Sequence, residues 1–165
     1  MKEYVVLSEE KAKLLKKRQD WIKKIEELSN CKVEIEDQEA RVEGEDQVSV
    51  LRVKEVIKAL NKGFDLKTSL YLLDENYFLD VINLKEWSEK RERRIQLKGR
   101  VIGKKGSFKK MIEEKTGTKI VIEGKTISII GKWDGVNLAR RSIEMLLEGR
   151  SHSTVQRFLE RELLK

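Results

Sequence analysis

The chain repeats itself once. That limits its folds more than any other feature, because an architecture that serves one copy must also serve the other. At an offset of 87 residues Ile25 falls on Ile112 and Glu26-Glu27 on Glu113-Glu114, inside two stretches of similar composition, Lys23 to Glu27 and Lys109 to Glu114. The register then holds without a gap, with Asn30 on Gly117, Lys32 on Lys119, Val33 on Ile120, Ile35 on Ile122 and Gly44 on Gly131. Past those glycines the offset slips to 86, and each copy continues as an apolar helical pattern ending at a glycine, Gly63 or Gly149, placed as a helix C-cap would be. A chain of 165 residues divided in this way is two small domains near the lower size limit for folding.

Periodicity orders the elements of each copy. In the second copy, Phe78 to Leu84 reads as a strand, Ser88 to Ile102 as a strongly basic helix with Ser88 as N-cap, and Ser107 to Thr116 as a helix closed by Gly117. Lys119 to Glu123 and Thr126 to Ile130 then read as strands around a Gly124-Lys125 turn, and Trp133 to Leu147 as a helix. The first copy predicts the same order: strand Glu3 to Leu7, helices Glu9 to Leu15 and Asp20 to Leu28, strands Lys32 to Glu36 and Glu39 to Val42, and helix Gln47 to Asn61. Short amphipathic segments follow, Asp65 to Leu73 in the first copy and Thr154 to Leu164 in the second. The fold class is therefore α+β: two tandem β-α-α-β-β-α units, each a three-stranded sheet backed by helices, over residues 1–74 and 75–165. No Gly/Ser-rich linker separates them, so the two units are expected to pack together.

Composition narrows the chemistry. A single cysteine, Cys31, and a single histidine, His152, cannot build a disulfide or a Cys/His zinc site, and no cofactor is expected. The absence of proline excludes Pro-rich linkers and polyproline ligands. No secretory leader and no membrane span are legible, so a cytoplasmic protein without a membrane partner is expected. The net charge of +7 is local: Lys85 to Lys119 holds thirteen basic and five acidic residues, a net +8, which leaves −1 for everything else. Such a concentration suits a polyanion.

At its centre stands Gly99-Arg100-Val101-Ile102-Gly103-Lys104-Lys105-Gly106. One helix ends, the backbone turns through two glycines with only lysines between them, and a second helix starts at Ser107. Glycine allows a tight turn and close backbone approach, while the first amides of a helix together with Lys104 and Lys105 suit a sugar-phosphate backbone. With Lys115-Thr116-Gly117 downstream and two strands after that, this segment resembles the core of a type I KH domain, whose GXXG loop clamps single-stranded nucleic acid. The 87-residue offset puts Lys16-Lys17-Arg18-Gln19 at the corresponding place in the first copy, which has lost both glycines, so the first unit is a degenerate KH unit that does not clamp in the ordinary way.

Two KH-like units, the first degenerate, with a tail running from Gly149-Arg150-Ser151-His152 to Glu160, resemble the archaeal KH-domain ribosome-assembly factors, relatives of the eukaryotic partner of Nob. The resemblance implies a non-enzymatic RNA-binding factor of small-subunit ribosome biogenesis and rRNA processing. It implies single-stranded rRNA as ligand, near the 3′ end of the small-subunit rRNA. The implied protein partners are the Nob endonuclease and the alpha subunit of translation initiation factor two. The RNA-binding residues expected are Gly103, Lys104, Lys105 and Gly106 in the loop, Arg94, Lys98, Arg100 and Ile102 before it, and Lys109, Lys119, Ile120 and Ile122 after it. By the KH analogy Val101, Ile102, Ile120 and Ile122 line an apolar groove between the loop-side helices and the central strand, although each of them also suits plain core packing. One departure from the family pattern is Lys109, where an aliphatic residue is usual; Phe108 is placed to take over its packing.

Other residues read as structural. Trp21, Trp87 and Trp133 suit packing, and Trp21 falls on Phe108 in the repeat. Cys31, which falls on Thr118, suits a buried thiol, and His152 a capping or tail-positioning role. A nuclease would need clustered carboxylates, and the Glu26-Glu27 and Glu113-Glu114 pairs read as solvated charge. A general KH adaptor of RNA decay, the exosome or translation regulation is the alternative to the ribosomal reading.

Overall fold

Alternation of apolar and polar residues turns one face of most strands toward helices and the other outward. In a computed structural model describing residues 1–165, the chain divides into two units, Met1–Tyr77 and Phe78–Lys165. The first unit runs β1 (Lys2–Val6), α1 (Glu9–Lys17), α2 (Gln19–Ser29), β2 (Lys32–Glu36), β3 (Glu39–Glu43), α3 (Gln47–Asn61) and a short α4 (Leu66–Leu70). Its strands pair antiparallel in the order β1-β3-β2, with Val5 and Ile35 both opposite Ala40. Val5, Val33, Ala40 and Val42 are buried, and the periodic face of α3 buries Val50, Val53, Val56, Ile57 and Leu60. Ser8 and Asp46 cap α1 and α3, each accepting a backbone amide of the first turn.

The second unit repeats the plan with β4 (Tyr77–Asn83), α5 (Arg91–Ile102), α6 (Ser107–Thr116), β5 (Lys119–Glu123), β6 (Thr126–Lys132), α7 (Trp133–Leu147) and α8 (His152–Leu163). The sheet order is β4-β6-β5, and Ile120 and Ile122 stand opposite Ile129 and Ile127. One cluster gathers Ile82, Leu97, Val101, Phe108, Ile112, Ile120, Ile127, Ile129 and Ile143, and α8 adds Val155, Phe158 and Leu159. No helix of the protein is long and apolar enough to cross a membrane.

The repeat survives in atomic detail. Asn30 and Gly117 close α2 and α6 in the left-handed region at φ 58° and 67°. Asp37 and Gly124 turn the two β hairpins at φ 52° and 58°. A Cβ on Gly44 would lie 2.9 Å from the Cys31 sulfur, and one on Gly131 would lie 2.8 Å from the Thr118 methyl, so Cys31 and Thr118 fill the same buried niche. Gly63 and Gly149 sit one residue beyond the helix caps, and each helix ends in a Schellman pair: Gly63 and Phe64 donate to Leu60 and Ala59, Gly149 and Arg150 to Leu146 and Met145.

Three expectations differ from the structure. The basic helix begins at Arg91 and not at Ser88, because Leu84–Glu86 forms a separate 3-10 turn; Ser88 Oγ accepts the Lys90 amide at 3.1 Å before the helix starts. The first glutamate of each pair is not free solvated charge. Glu26 Oε2 accepts the Val33 amide at 2.9 Å and Glu113 Oε2 accepts the Ile120 amide at 2.8 Å, tying the second helix of each unit to the strand that follows. Ile120 and Ile122 lie on an edge strand, since β6 is the strand that pairs on both sides.

Candidate nucleic-acid interface

A basic helix, a turn and an uncapped helix start converge in the second unit. Gly103 closes α5 at φ 75°, ψ 178°; Lys105 sits at φ 55°, ψ 30°, and Gly106 at φ 75°, ψ 9°. The turn is closed by the Gly106 amide donating to the Gly103 carbonyl at 3.2 Å. The two glycines are needed for different reasons. A Cβ on Gly103 would lie 2.6 Å from Cβ of Phe108 and 2.9 Å from its amide nitrogen, whereas Gly106 has open space around it and is required only by its positive φ. Lys105 holds a left-handed conformation without being glycine, a strain of roughly 1–3 kcal/mol. Lys104 and Lys105 are exposed, and no side chain caps α6, so its first amides and its dipole face the turn uncompensated. Backbone donors, two free ammonium groups and no obstructing Cβ make a cradle for phosphates.

The tail holds this turn in place. The His152 ring, at the start of α8, stacks on Phe108 with centroids 4.2 Å apart and planes 14° from parallel. Its Nε2–H donates to the Arg100 carbonyl at 2.7 Å, since a carbonyl can only accept. Arg100 in turn donates Nε to the Leu146 carbonyl at 3.2 Å and Nη2 to the Arg150 carbonyl. Both flanks of the turn are thus pinned to the segment joining α7 and α8. His152 emerges as a support of the loop, and its tail position alone hinted at this. Phe108 is buried in the core, and Lys109 instead pairs along α6 with Glu113 at 3.5 Å.

The other expected residues fall into two groups. Lys98 and Arg94 lie on one face of α5; Lys98 Nζ donates to the Gly124 carbonyl at 2.9 Å, and Arg94 Nη1 donates to the carbonyls of Ser88 and Glu89. Ile102 is exposed beside the turn, and Lys119 is exposed at the start of β5. Val101 and Ile120 are core side chains, at 0% and 2% exposure, and Ile122 is half-buried against the same cluster. Sequence reasoning passed over Ile95, which is 52% exposed, and Gly99, where a Cβ would meet nothing within 4 Å. A glycine inside a helix costs about 1 kcal/mol relative to alanine, and no internal contact accounts for this one. Ile95, Gly99 and Ile102 form an open apolar strip along α5 beside the cationic turn.

The first unit has no such turn. α1 continues through Lys16 and Lys17, and Arg18 alone separates it from α2. Arg18 lies 4.4 Å over the Trp21 ring and binds both carboxylate oxygens of Asp20, at 3.0 and 2.8 Å. The Arg18 hydrogen bonds hold the Asp20 carboxyl below its ordinary value. The unit as a whole carries a net −2, against +9 for the second.

A three-stranded sheet backed by helices, in β-α-α-β-β-α order with a Gly-Lys-Lys-Gly turn between its first two helices, is the type I KH fold. Residues 78–163 match the model of the second KH domain of the PNO1 proteins, described as a eukaryotic-type, type I KH domain. The chain belongs to this Pno1/Dim2 family of KH-domain proteins. It is 36% identical over 120 residues to the KH domain-containing protein MJ0443 of Methanocaldococcus jannaschii, covering 73% of this chain and 53% of that protein. It is 35% identical over 101 residues to the RNA-binding protein pno1 of Drosophila pseudoobscura pseudoobscura, covering 60% of this chain and 42% of that one. This chain therefore spans about half the length of the curated relatives it matches. It is also similar to the Dim2p chain in the crystal structure of an a/eIF2alpha-aDim2p-rRNA complex from Pyrococcus horikoshii OT3. There the TM-score is 0.85 at 32% identity, covering 99% of this chain and 94% of that one.

Proposed function

We propose that the second unit grips single-stranded rRNA near the 3′ end of the small-subunit rRNA, and that the chain acts in small-subunit assembly by binding and without catalysis. The Gly103–Gly106 turn carries this reading: two glycine conformations, a left-handed lysine and an uncapped helix start together leave backbone donors open to a phosphate backbone. The crystallised complex of the Pyrococcus relative with rRNA and a/eIF2alpha supports rRNA as the ligand and the alpha subunit of translation initiation factor two as a partner. The Nob endonuclease completes the proposed partners on family resemblance.

The test is a filter or gel-shift titration of the Gly103→Asp/Gly106→Asp double variant. Loss of two charge-assisted contacts of roughly 1.5 kcal/mol each predicts an affinity about 100-fold weaker. Unchanged affinity would sink the assignment. Crosslinking of the native protein should concentrate on small-subunit precursor RNA; reads spread over messenger RNAs would replace the ribosomal reading with that of a general adaptor.

A further inference from the structure

β1 is an end strand of the first sheet, and its backbone pattern leaves three residues unpaired on the outer side. The Gly44 amide donates to the Met1 carbonyl at 3.1 Å and the Leu7 amide to the Gln38 carbonyl at 2.8 Å, so in the antiparallel alternation Glu3 and Val5 also bond to β3. Lys2, Tyr4 and Val6 therefore point their amides and carbonyls away from the sheet. The same three residues turn their side chains to the face away from the helices, where Tyr4 is 49% and Val6 75% exposed. The second unit repeats this frame without its apolar surface. Leu84 donates to the Lys125 carbonyl at 2.8 Å as Leu7 does to Gln38, and Asp80 pairs with Arg140 at 2.7 Å as Glu3 does with Lys54 at 3.0 Å. On that alignment Tyr4 matches Val81, which is half-buried, and Val6 matches Asn83, whose Oδ1 accepts the Lys85 amide. Nor does β1 carry the usual devices that blunt a sheet edge: the chain has no proline, and the register from Lys2–Glu43 to Val6–Glu39 runs without a bulge.

We propose that β1 pairs antiparallel with β1 of a second copy of this chain about a two-fold axis at Tyr4, joining two three-stranded sheets into one. This pairing stands apart from RNA binding, which is proposed for the other unit. Lys2, Tyr4 and Val6 are spaced evenly about Tyr4, so the register sets Lys2 opposite Val6 of the second copy and Tyr4 opposite Tyr4. Each such pair exchanges two hydrogen bonds, which satisfies every outward amide and carbonyl of both strands at once. Any other register pairs fewer of them, and one centred at Lys2 sets two ammonium groups face to face. Centred at Tyr4, the tyrosine rings meet and Val6 lies along the aliphatic stem of Lys2, with no like charges opposed. Glu3, which comes opposite Val5, is already neutralised by Lys54. A polyanion does not suit the same face, because Glu34, Glu36, Glu39 and Glu43 outnumber Lys2, Lys32 and Arg41 on it. Five residues of strand make an interface below the roughly 1,200 Å² of a stable complex, so association belongs in the high micromolar range.

The test is cross-linking by position. Facing Cα atoms in a hydrogen-bonded antiparallel pair lie about 5.5 Å apart, within the disulfide range of about 4.4–6.8 Å. The full chain carrying Tyr4→Cys should therefore form a disulfide-linked dimer when treated with diamide at high micromolar concentration. Val6→Cys sets its two thiols roughly 14 Å apart along the strands and should stay monomeric, as should the unsubstituted chain, whose one cysteine, Cys31, is buried. Sedimentation equilibrium of the unsubstituted protein should show its mass rising from 19.4 kDa toward twice that value with concentration. Tyr4→Lys, which opposes two charges at the axis, should weaken association about tenfold without lowering Tm. A constant 19.4 kDa at every concentration overturns the pairing and leaves the edge to a strand of another protein. Equal cross-linking of Tyr4→Cys and Val6→Cys overturns the register and the pairing with it, and a Tyr4→Lys variant that associates as the parent does overturns it by placing the interface elsewhere.

Discussion

The two units are a controlled comparison made by the chain itself. Both keep the left-handed helix ends at Asn30 and Gly117, the glutamate ties of Glu26 and Glu113, and the glycine niches filled by Cys31 and Thr118. They part most sharply between their first two helices. Where the second unit breaks its helix with Gly103 and Gly106, the first runs α1 on to Lys17 and folds Arg18 onto Asp20 and Trp21. The fold therefore does not need the turn, and what the turn adds is exposed donors and positive charge. Scaffold and proposed binding site separate by residue: shared positions hold the sheet and helices, and the exposed donors and positive charge stand at unshared positions.

The largest effect should fall on the shared positions. Ile25 and Ile112 are repeat equivalents, both at 0% exposure, so Ile25→Ala and Ile112→Ala should each cost about 2–5 kcal/mol in denaturant unfolding. A cost confined to one unit would break the equivalence. Next comes Gly103→Ala, whose Cβ must displace Phe108. It should lose roughly 1–3 kcal/mol of stability with a parallel loss of RNA affinity, while Lys16→Ala at the matching site changes neither measurably.

Smaller still is the tail support. His152→Ala removes one hydrogen bond and one stacked ring, about 1 kcal/mol, and should weaken RNA binding about fivefold. A His152→Gln variant that keeps a donor to the Arg100 carbonyl should recover part of the loss. Affinity indifferent to both changes would remove His152 from any part in positioning the loop.

The smallest effect sharpens the comparison most. Because Lys85 lowers the Lys125 pKa in the folded state, the penalty is fully present while both lysines are charged and fades as pH rises through the ordinary lysine range. Lys125→Gln should therefore raise Tm slightly at neutral pH, the gain vanishing at alkaline pH. A lowered Tm at neutral pH contradicts this account of Lys125.

Several elements were legible to the residue. Lys32–Glu36, Gln47–Asn61, Ser107–Thr116, Lys119–Glu123 and Trp133–Leu147 stand where periodicity and capping put them, because their apolar spacing is regular and their ends carry strong local signals. Ser88 misled because a serine that stops a 3-10 turn has the same local signature as one that starts a helix. In the candidate interface the turn itself was legible, since glycine at those positions has a local conformational meaning. The commitment of Arg100 to two carbonyls 46 and 50 residues away was not, because charge content does not tell which cations are already held. Lys125 lay outside the densest run of charge, and only the Leu84–Lys125 backbone bond brings it beside Lys85.

The sequence alone determined what depends on neighbours along the chain: the repeat, the order of elements, the glycine turn and the excess of positive charge around it. Tertiary structure decided what depends on distance through space. It set β5 at the sheet edge, buried Val101 and Ile120, drew His152 onto Phe108, and gathered Lys85, Lys98 and Lys125 at one turn. Backbone preferences act over a few residues and are written locally, whereas a side chain's solvation and partners are set by packing between segments far apart in the chain.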